Sequence, residues 1–127
     1  MHLAHVALWT HDLDAAAAFW RGYFGAEVGA PYHSRRQKGF VSRFVTLPGA
    51  DTHIELMTAP WIGAGPGPDR VGWAHVAVAL GSIAAVDALA ARCAADGCLT
   101  SPPRRTGDGF YEAVIAMPDG TPVEITV

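Results

Sequence analysis

Two histidines and two glutamates recur at matching places along this chain: His5 and Glu55 in the first half, His75 and Glu124 in the second. Each sits within a short apolar run, in Ala4-His5-Val6-Ala7-Leu8, Thr52-His53-Ile54-Glu55-Leu56-Met57, Ala74-His75-Val76-Ala77-Val78 and Thr121-Pro122-Val123-Glu124-Ile125-Thr126. Taken singly, a strand histidine is a satisfied core residue and a strand glutamate a solvated one more often than either is a ligand. Four such groups at repeat-related places are another matter, because burying them carries a large desolvation cost unless they share a cation. Two imidazoles and two carboxylates leave room for water or substrate around a six-coordinate divalent ion. A nitrogen and oxygen donor set without thiolate suits Ni, Zn, Mn, Co or Fe.

The elements that must carry these residues are legible from periodicity. Residues 3–9 alternate as a strand, with His5, Ala7 and Trp9 on one face and Ala4, Val6 and Leu8 on the other. Asp12 is an expected N-cap, followed at helical spacing by Leu13, Ala16, Ala17, Trp20 and Phe24, with Gly25 as the stop. Residues 26–32, 40–47 and 52–58 are expected strands, which makes the first half β-α-β-β-β. Residues 60–72 hold three prolines and four glycines and are expected to be a linker. The second half repeats the order: a strand at 73–80, a helix capped by Ser82 and stopped at Gly97, and strands at 98–101, 110–117 and 122–127. His5 to His75, Asp12 to Ser82, Phe40 to Phe110 and Pro48 to Pro118 are each offset by 70, and Glu55 to Glu124 by 69. The slip fits a first-half turn one residue longer than Pro118-Asp119-Gly120, where an insertion costs least. In each repeat the face opposite the His and Glu is apolar and suits packing beneath a helix, leaving the polar faces to point into a second space. The expected fold class is therefore α+β, with two βαβββ modules, at residues 1–59 and 73–127, in one domain spanning 1–127.

Composition narrows the partners. The chain has 127 residues, half of them apolar, and a net charge of −3, so a sizeable core is available. No basic run exceeds two residues, which gives no electrostatic footprint for nucleic acid or an anionic membrane. No apolar stretch reaches the ~18 residues of a membrane span, and the expected location is the cytoplasm. Cys93 and Cys98 are neither a disulfide framework nor a CxxC pair and are expected to be buried free thiols. His53 shares the face of Glu55 and is expected to support it or to sit at the rim. His2, His11 and His33 are expected to be solvated at a terminus or in loops.

These motifs resemble the vicinal oxygen chelate superfamily, and within it the short glyoxalase I-like proteins of the glyoxalase/bleomycin resistance/dioxygenase group. The resemblance runs through His5, Asp12-Leu13, Phe19-Trp20, Phe24-Gly25, Ile54-Glu55-Leu56, Gly72-Trp73-Ala74-His75-Val76, Met117-Pro118-Asp119-Gly120 and Val123-Glu124-Ile125. It implies paired modules curled into a bowl of mixed sheet with the helices outside, around a divalent metal held by His5, Glu55, His75 and Glu124. It further implies a lyase or isomerase that stabilises an enediolate of an α-oxo or hemithioacetal substrate. Glu124 would be the base, and Glu55 a ligand or its opposite-face partner. On the same resemblance Trp9, Phe44 and Trp73 would line the substrate space. Arg36, from the paired loop dipeptides Arg35-Arg36 and Arg104-Arg105, would meet an anionic group at the rim. Glutathione-dependent members carry an arginine four residues after the first histidine; Trp9 stands there in this chain, which speaks against glutathione recognition. The alternatives within the superfamily are a metal-free binding or resistance protein and a ring-cleaving dioxygenase. The halves are expected to meet either within one chain or between the two chains of a homodimer, the case that short members of the superfamily resemble, and the linker at 60–72 permits either.

Overall fold

The computed structural model describes residues 4–63, 75–107 and 109–127, and the chain divides into two compact units, Met1–Gly65 and Pro66–Val127. In the first, strand β1 (His5–Trp9) leads to helix α1 (Leu13–Phe24), then β2 (Glu27–Val28), β3 (Tyr32–His33), β4 (Val41–Thr46) and β5 (His53–Thr58). The helix begins where Asp12 accepts a hydrogen bond from the Ala15 N–H at 2.9 Å, and it ends at Gly25, whose φ of 62° a side-chain-bearing residue rarely adopts. The sheet runs β1-β5-β4-β2, with β3 also on β4; β1 and β5 are parallel and the rest antiparallel. Ala16, Ala17, Phe19 and Trp20 of α1 are buried, as are Val45, Ile54 and Leu56 on the strands the helix covers. Each fully buried aliphatic side chain contributes roughly 1.5–3 kcal/mol. The Trp20 indole N–H has no hydrogen-bond partner within this core, a cost of about 1–3 kcal/mol set against its large buried area.

The second unit holds β6 (Val76–Ala79), α2 (Ile83–Ala95), β7 (Leu99–Arg105), β8 (Tyr111–Ala116) and β9 (Pro122–Thr126). Ser82 caps α2 by accepting from Ala85 N–H at 3.2 Å, and Gly97 turns the chain out at φ 77°. The sheet order is β6-β9-β8-β7, with β6 and β9 parallel. Val86, Ala90 and Cys93 of α2 are buried, as are Ala113, Ile115, Val123 and Ile125 of the sheet beneath. The fold is α+β, two sheets of mixed strands with one helix each, and the modules have the expected order. No described helix is long and apolar enough to cross a membrane.

Two details differ from the sequence expectation. Residues 26–32 form two short strands, because Pro31 can donate no ladder bond and Gly29 already bonds the Phe44 carbonyl at 2.9 Å. The strand expected to stop at residue 101 continues to Arg105 and takes in Pro102 and Pro103. It is the edge strand, where missing N–H groups are tolerated, and its register shifts on both sides of Ser101. Arg104 and Arg105 are therefore strand residues, and His33 is an exposed member of β3.

Candidate metal centre

Pairing register places the first unit's polar residues on one face. On the parallel strands β1 and β5, His5 lies opposite His53 and Ala7 opposite Glu55, so His5 and Glu55 are diagonal neighbours. His5 Nε2 is 3.8 Å from Glu55 Oε2. Across β4, Phe44 is opposite Glu55 and Thr46 opposite His53. The Phe44 ring meets His5 edge-on at 5.6 Å and His53 at 6.2 Å. His53 Nδ1 and Thr46 Oγ1 are 3.0 Å apart, a hydrogen bond that orients the imidazole. Trp9 lies opposite Met57 and meets Phe40 edge-on at 6.0 Å. His5, His53, Glu55, Phe44 and Trp9 are thus brought together. The intervening Arg43 points the other way, toward Asp14 on α1 at 3.5 Å. Arg36 is exposed in the loop between β3 and β4.

The second unit repeats the arrangement. His75 immediately precedes β6, and Glu124 on β9 lies opposite Ala77, as Glu55 lies opposite Ala7. His75 Nε2 is 3.3 Å from Glu124 Oε2. Trp73 lies outside the described residues. A residue missed by the sequence reading, Glu112 on β8, stands on the same face as Glu124 and is buried. Arg104 donates to Glu112 Oε1 at 2.8 Å and to Ser101 Oγ. The Glu124 carboxyl is pushed above its ordinary range, first by burial, then by the charge of Glu112 and a hydrogen bond with it; His75 and Arg104 pull the other way. Glu112 was detectable as the one charged residue in an otherwise apolar strand, but a lone strand glutamate reads as solvated.

The geometry can be tested against an ion. Two donors each about 2.1 Å from one cation lie about 3.0 Å apart at a right angle and about 3.4 Å apart at the tetrahedral angle. The second pair, at 3.3 Å, falls in that range, and the first, at 3.8 Å, lies outside it. Among the described residues no three of His, Cys, Asp and Glu gather into a cation site. The Cys93 thiol does not compete: it is buried and pushed up to about 12, chiefly by burial, and stays protonated. Cys98 is only half-buried, where burial was expected for both cysteines.

Residues 2–125 match the family model of the Glyoxalase/Bleomycin resistance protein/Dioxygenase superfamily. An uncharacterised protein of Pseudomonas aeruginosa is 36% identical over 105 residues, 80% of this chain and 70% of that protein. An ethylmalonyl-CoA/methylmalonyl-CoA epimerase of Cereibacter sphaeroides is 49% identical over 55 residues, 43% of this chain and 39% of the epimerase. The fold is shared with a glyoxylase/bleomycin resistance protein/dioxygenase domain from Frankia, at a TM-score of 0.85 and 19% identity, covering 100% of this chain and 97% of that one. Repeat, sheet order and sequence agree: this chain belongs to the glyoxalase/bleomycin resistance/dioxygenase family, the vicinal oxygen chelate superfamily.

Proposed function

We propose that this protein is a divalent-metal-dependent lyase or isomerase that moves a proton on the carbon next to a carbonyl group of a small molecule. The observation that carries the reading is the imidazole–carboxylate pair found at matching places in both units, at 3.8 and 3.3 Å. His5, Glu55, His75 and Glu124 would hold the ion, one of Ni, Zn, Mn, Co or Fe. When bound, the ion supplies Lewis-acid polarisation of two neighbouring substrate oxygens. Glu124 would take the proton from carbon as general base. Glu55 serves as ligand or as the opposite-face partner. Trp9 and Phe44, both substantially exposed on the face of the first pair, offer an apolar wall that keeps water from the reacting carbon. Arg36 meets an anionic end of the substrate. Epimerisation of a malonyl thioester is proton transfer beside a carbonyl, so the partial match to such an epimerase supports this reaction class.

The protein as proposed is a cytoplasmic homodimer in which the first half of one chain meets the second half of the other. Refolding His5→Ala and Glu124→Ala chains together then rebuilds one intact site per heterodimer, and recovery of activity at no mixing ratio would exclude the exchange. The function is tested by metal analysis of protein purified without chelator, followed by assays with Ni, Zn, Mn and Co on hemithioacetals and on α-branched thioesters. Metal retention with turnover of either class is expected. Protein that retains no metal and turns over neither would instead be a metal-free binder of small molecules.

A further inference from the structure

Two cysteines meet where helix α2 gives way to β7. Gly97, at φ 77°, lets the chain leave the helix in the left-handed conformation. Two backbone bonds close the turn: the Gly97 N–H donates to the Ala94 carbonyl at 3.2 Å, and the Cys98 N–H to the Cys93 carbonyl at 2.9 Å. This is the six-residue Schellman ending, in which the side chains of the first and last residues come into contact. Here those residues are Cys93 and Cys98, and their thiols are hydrogen-bonded to one another. A 2.9 Å bond between the amide of one and the carbonyl of the other holds their Cα atoms no more than about 6.8 Å apart, within the span that a disulfide bridges. The Cys98 carbonyl in turn accepts from the Ala116 N–H at 2.8 Å, which fixes the turn to β8. Cys93 is fully buried and Cys98 half-buried. At the repeat offset of 70 the first unit has Tyr23 and Val28 in these places, so the repeat does not call for sulfur there.

We propose that Cys98 and Cys93 form a reversible oxidation site, in which Cys98 takes the first attack on a peroxide and Cys93 resolves the product to an intrachain disulfide. Cys98 is the member that solvent reaches, whereas burial keeps the Cys93 thiol protonated. The Cys98 sulfur, as thiolate, attacks one peroxide oxygen. The S–O bond forms, the O–O bond breaks, and the departing hydroxide takes up the proton that Cys98 gave up, leaving a sulfenic acid and one water. The Cys93 sulfur then attacks the Cys98 sulfur. The S–S bond forms, the S–O bond breaks, and the hydroxyl leaves with the Cys93 proton as a second water. Two thiols lose two electrons and one peroxide gains them. Because the turn already holds the two residues together, the bridge closes without unfolding of the helix end. Resolution spares Cys98 from sulfinic acid, which thiols do not reverse.

Hydrogen peroxide added to the full-length protein, followed by N-ethylmaleimide block, trypsin digestion and mass spectrometry, tests this. No Lys or Arg lies between Arg92 and Arg104, so residues 93–104 come away as one peptide carrying both cysteines. The expected product is this peptide lighter by two hydrogens, formed without cross-linked dimers and reversed by dithiothreitol, while circular dichroism stays that of the folded protein. In Cys93→Ala the sulfenic acid should persist on Cys98, where dimedone traps it, and should go on to sulfinic acid. In Cys98→Ala, Cys93 should remain a thiol at the same dose. A wild-type peptide that gains oxygen without losing two hydrogens, or that keeps both thiols, would overturn the inference whether or not the variants fold. Oxidation of Cys93 in Cys98→Ala as fast as in wild type would overturn it too, by showing that Cys93 is attacked directly.

Discussion

Replacing Glu124 with glutamine should stabilise the metal-free protein while disabling its site. In the folded chain this carboxylate is 16% exposed and diagonal to Glu112, and its proton affinity is raised by burial and by that neighbour's charge. Because the folded pKa lies above the unfolded one, the folded state binds more protons in the window between them, and stability falls as pH rises through it. Below the unfolded value of about 4.3 the cost is absent; above the raised folded value it is complete. Like charges across a strand pair cost about 0.2–1 kcal/mol. Solvent on the open face and physiological salt screen the pair, so about 0.5 kcal/mol is expected at pH 7. For a chain of this size that corresponds to a rise in Tm of about 2 °C. The amide of Glu124→Gln keeps a donor toward Glu112, so little packing changes. The assay is thermal unfolding by circular dichroism in EDTA from pH 4 to pH 8. The variant should match wild type near pH 4 and exceed it at pH 7, and adding Co(II) should reverse the order. A Tm advantage that does not vary with pH, or none at pH 7, would refute the electrostatic reasoning.

Further outcomes follow from other residues. Gly39→Ala should cost about 2–4 kcal/mol, because Gly39 has φ 85° and an added Cβ would lie 2.6 Å from Pro60 Cγ. Gly49→Ala, at φ 74° in open space, should cost only about 1–2 kcal/mol, both losses being read by urea unfolding. His53→Ala should reduce metal affinity less than His5→Ala in equilibrium dialysis, since His53 is engaged by Thr46; an equal loss would make His53 a ligand. With Trp9 in place of an arginine, methylglyoxal plus glutathione should be a poor substrate, and a kcat/KM on the order of 10⁶ M⁻¹s⁻¹ or more would contradict that.

Much of this was legible because the determining signals are local. Strand alternation assigned His5, Glu55 and Glu124 to single faces; the observed register keeps His5 diagonal to Glu55, and His75, just before β6, lies 3.3 Å from Glu124. The helix starts were written in Asp12 and Ser82, whose side chains accept from the N–H three residues on. What escaped depended on sheet position. Pro102 and Pro103 signal a loop in sequence, yet an edge strand has no partner on its outer side to miss their N–H groups. Glu112 escaped for a related reason: what marks it is Arg104, eight residues away and opposite only once β7 continues past the prolines. The slip from 70 to 69 lies in the turns, because the strands on either side keep equivalent pairing, Phe44 opposite Glu55 and Val114 opposite Glu124.

The central claim is that the two His–Glu pairs serve one ion, and calorimetric titration of metal-free protein with Co(II) tests it most directly. One ion per chain is expected, with each of His5→Ala, Glu55→Ala, His75→Ala and Glu124→Ala weakening that single site. Two ions per wild-type chain, or one full-affinity ion retained by His5→Ala, would show that each pair binds on its own and would contradict the claim.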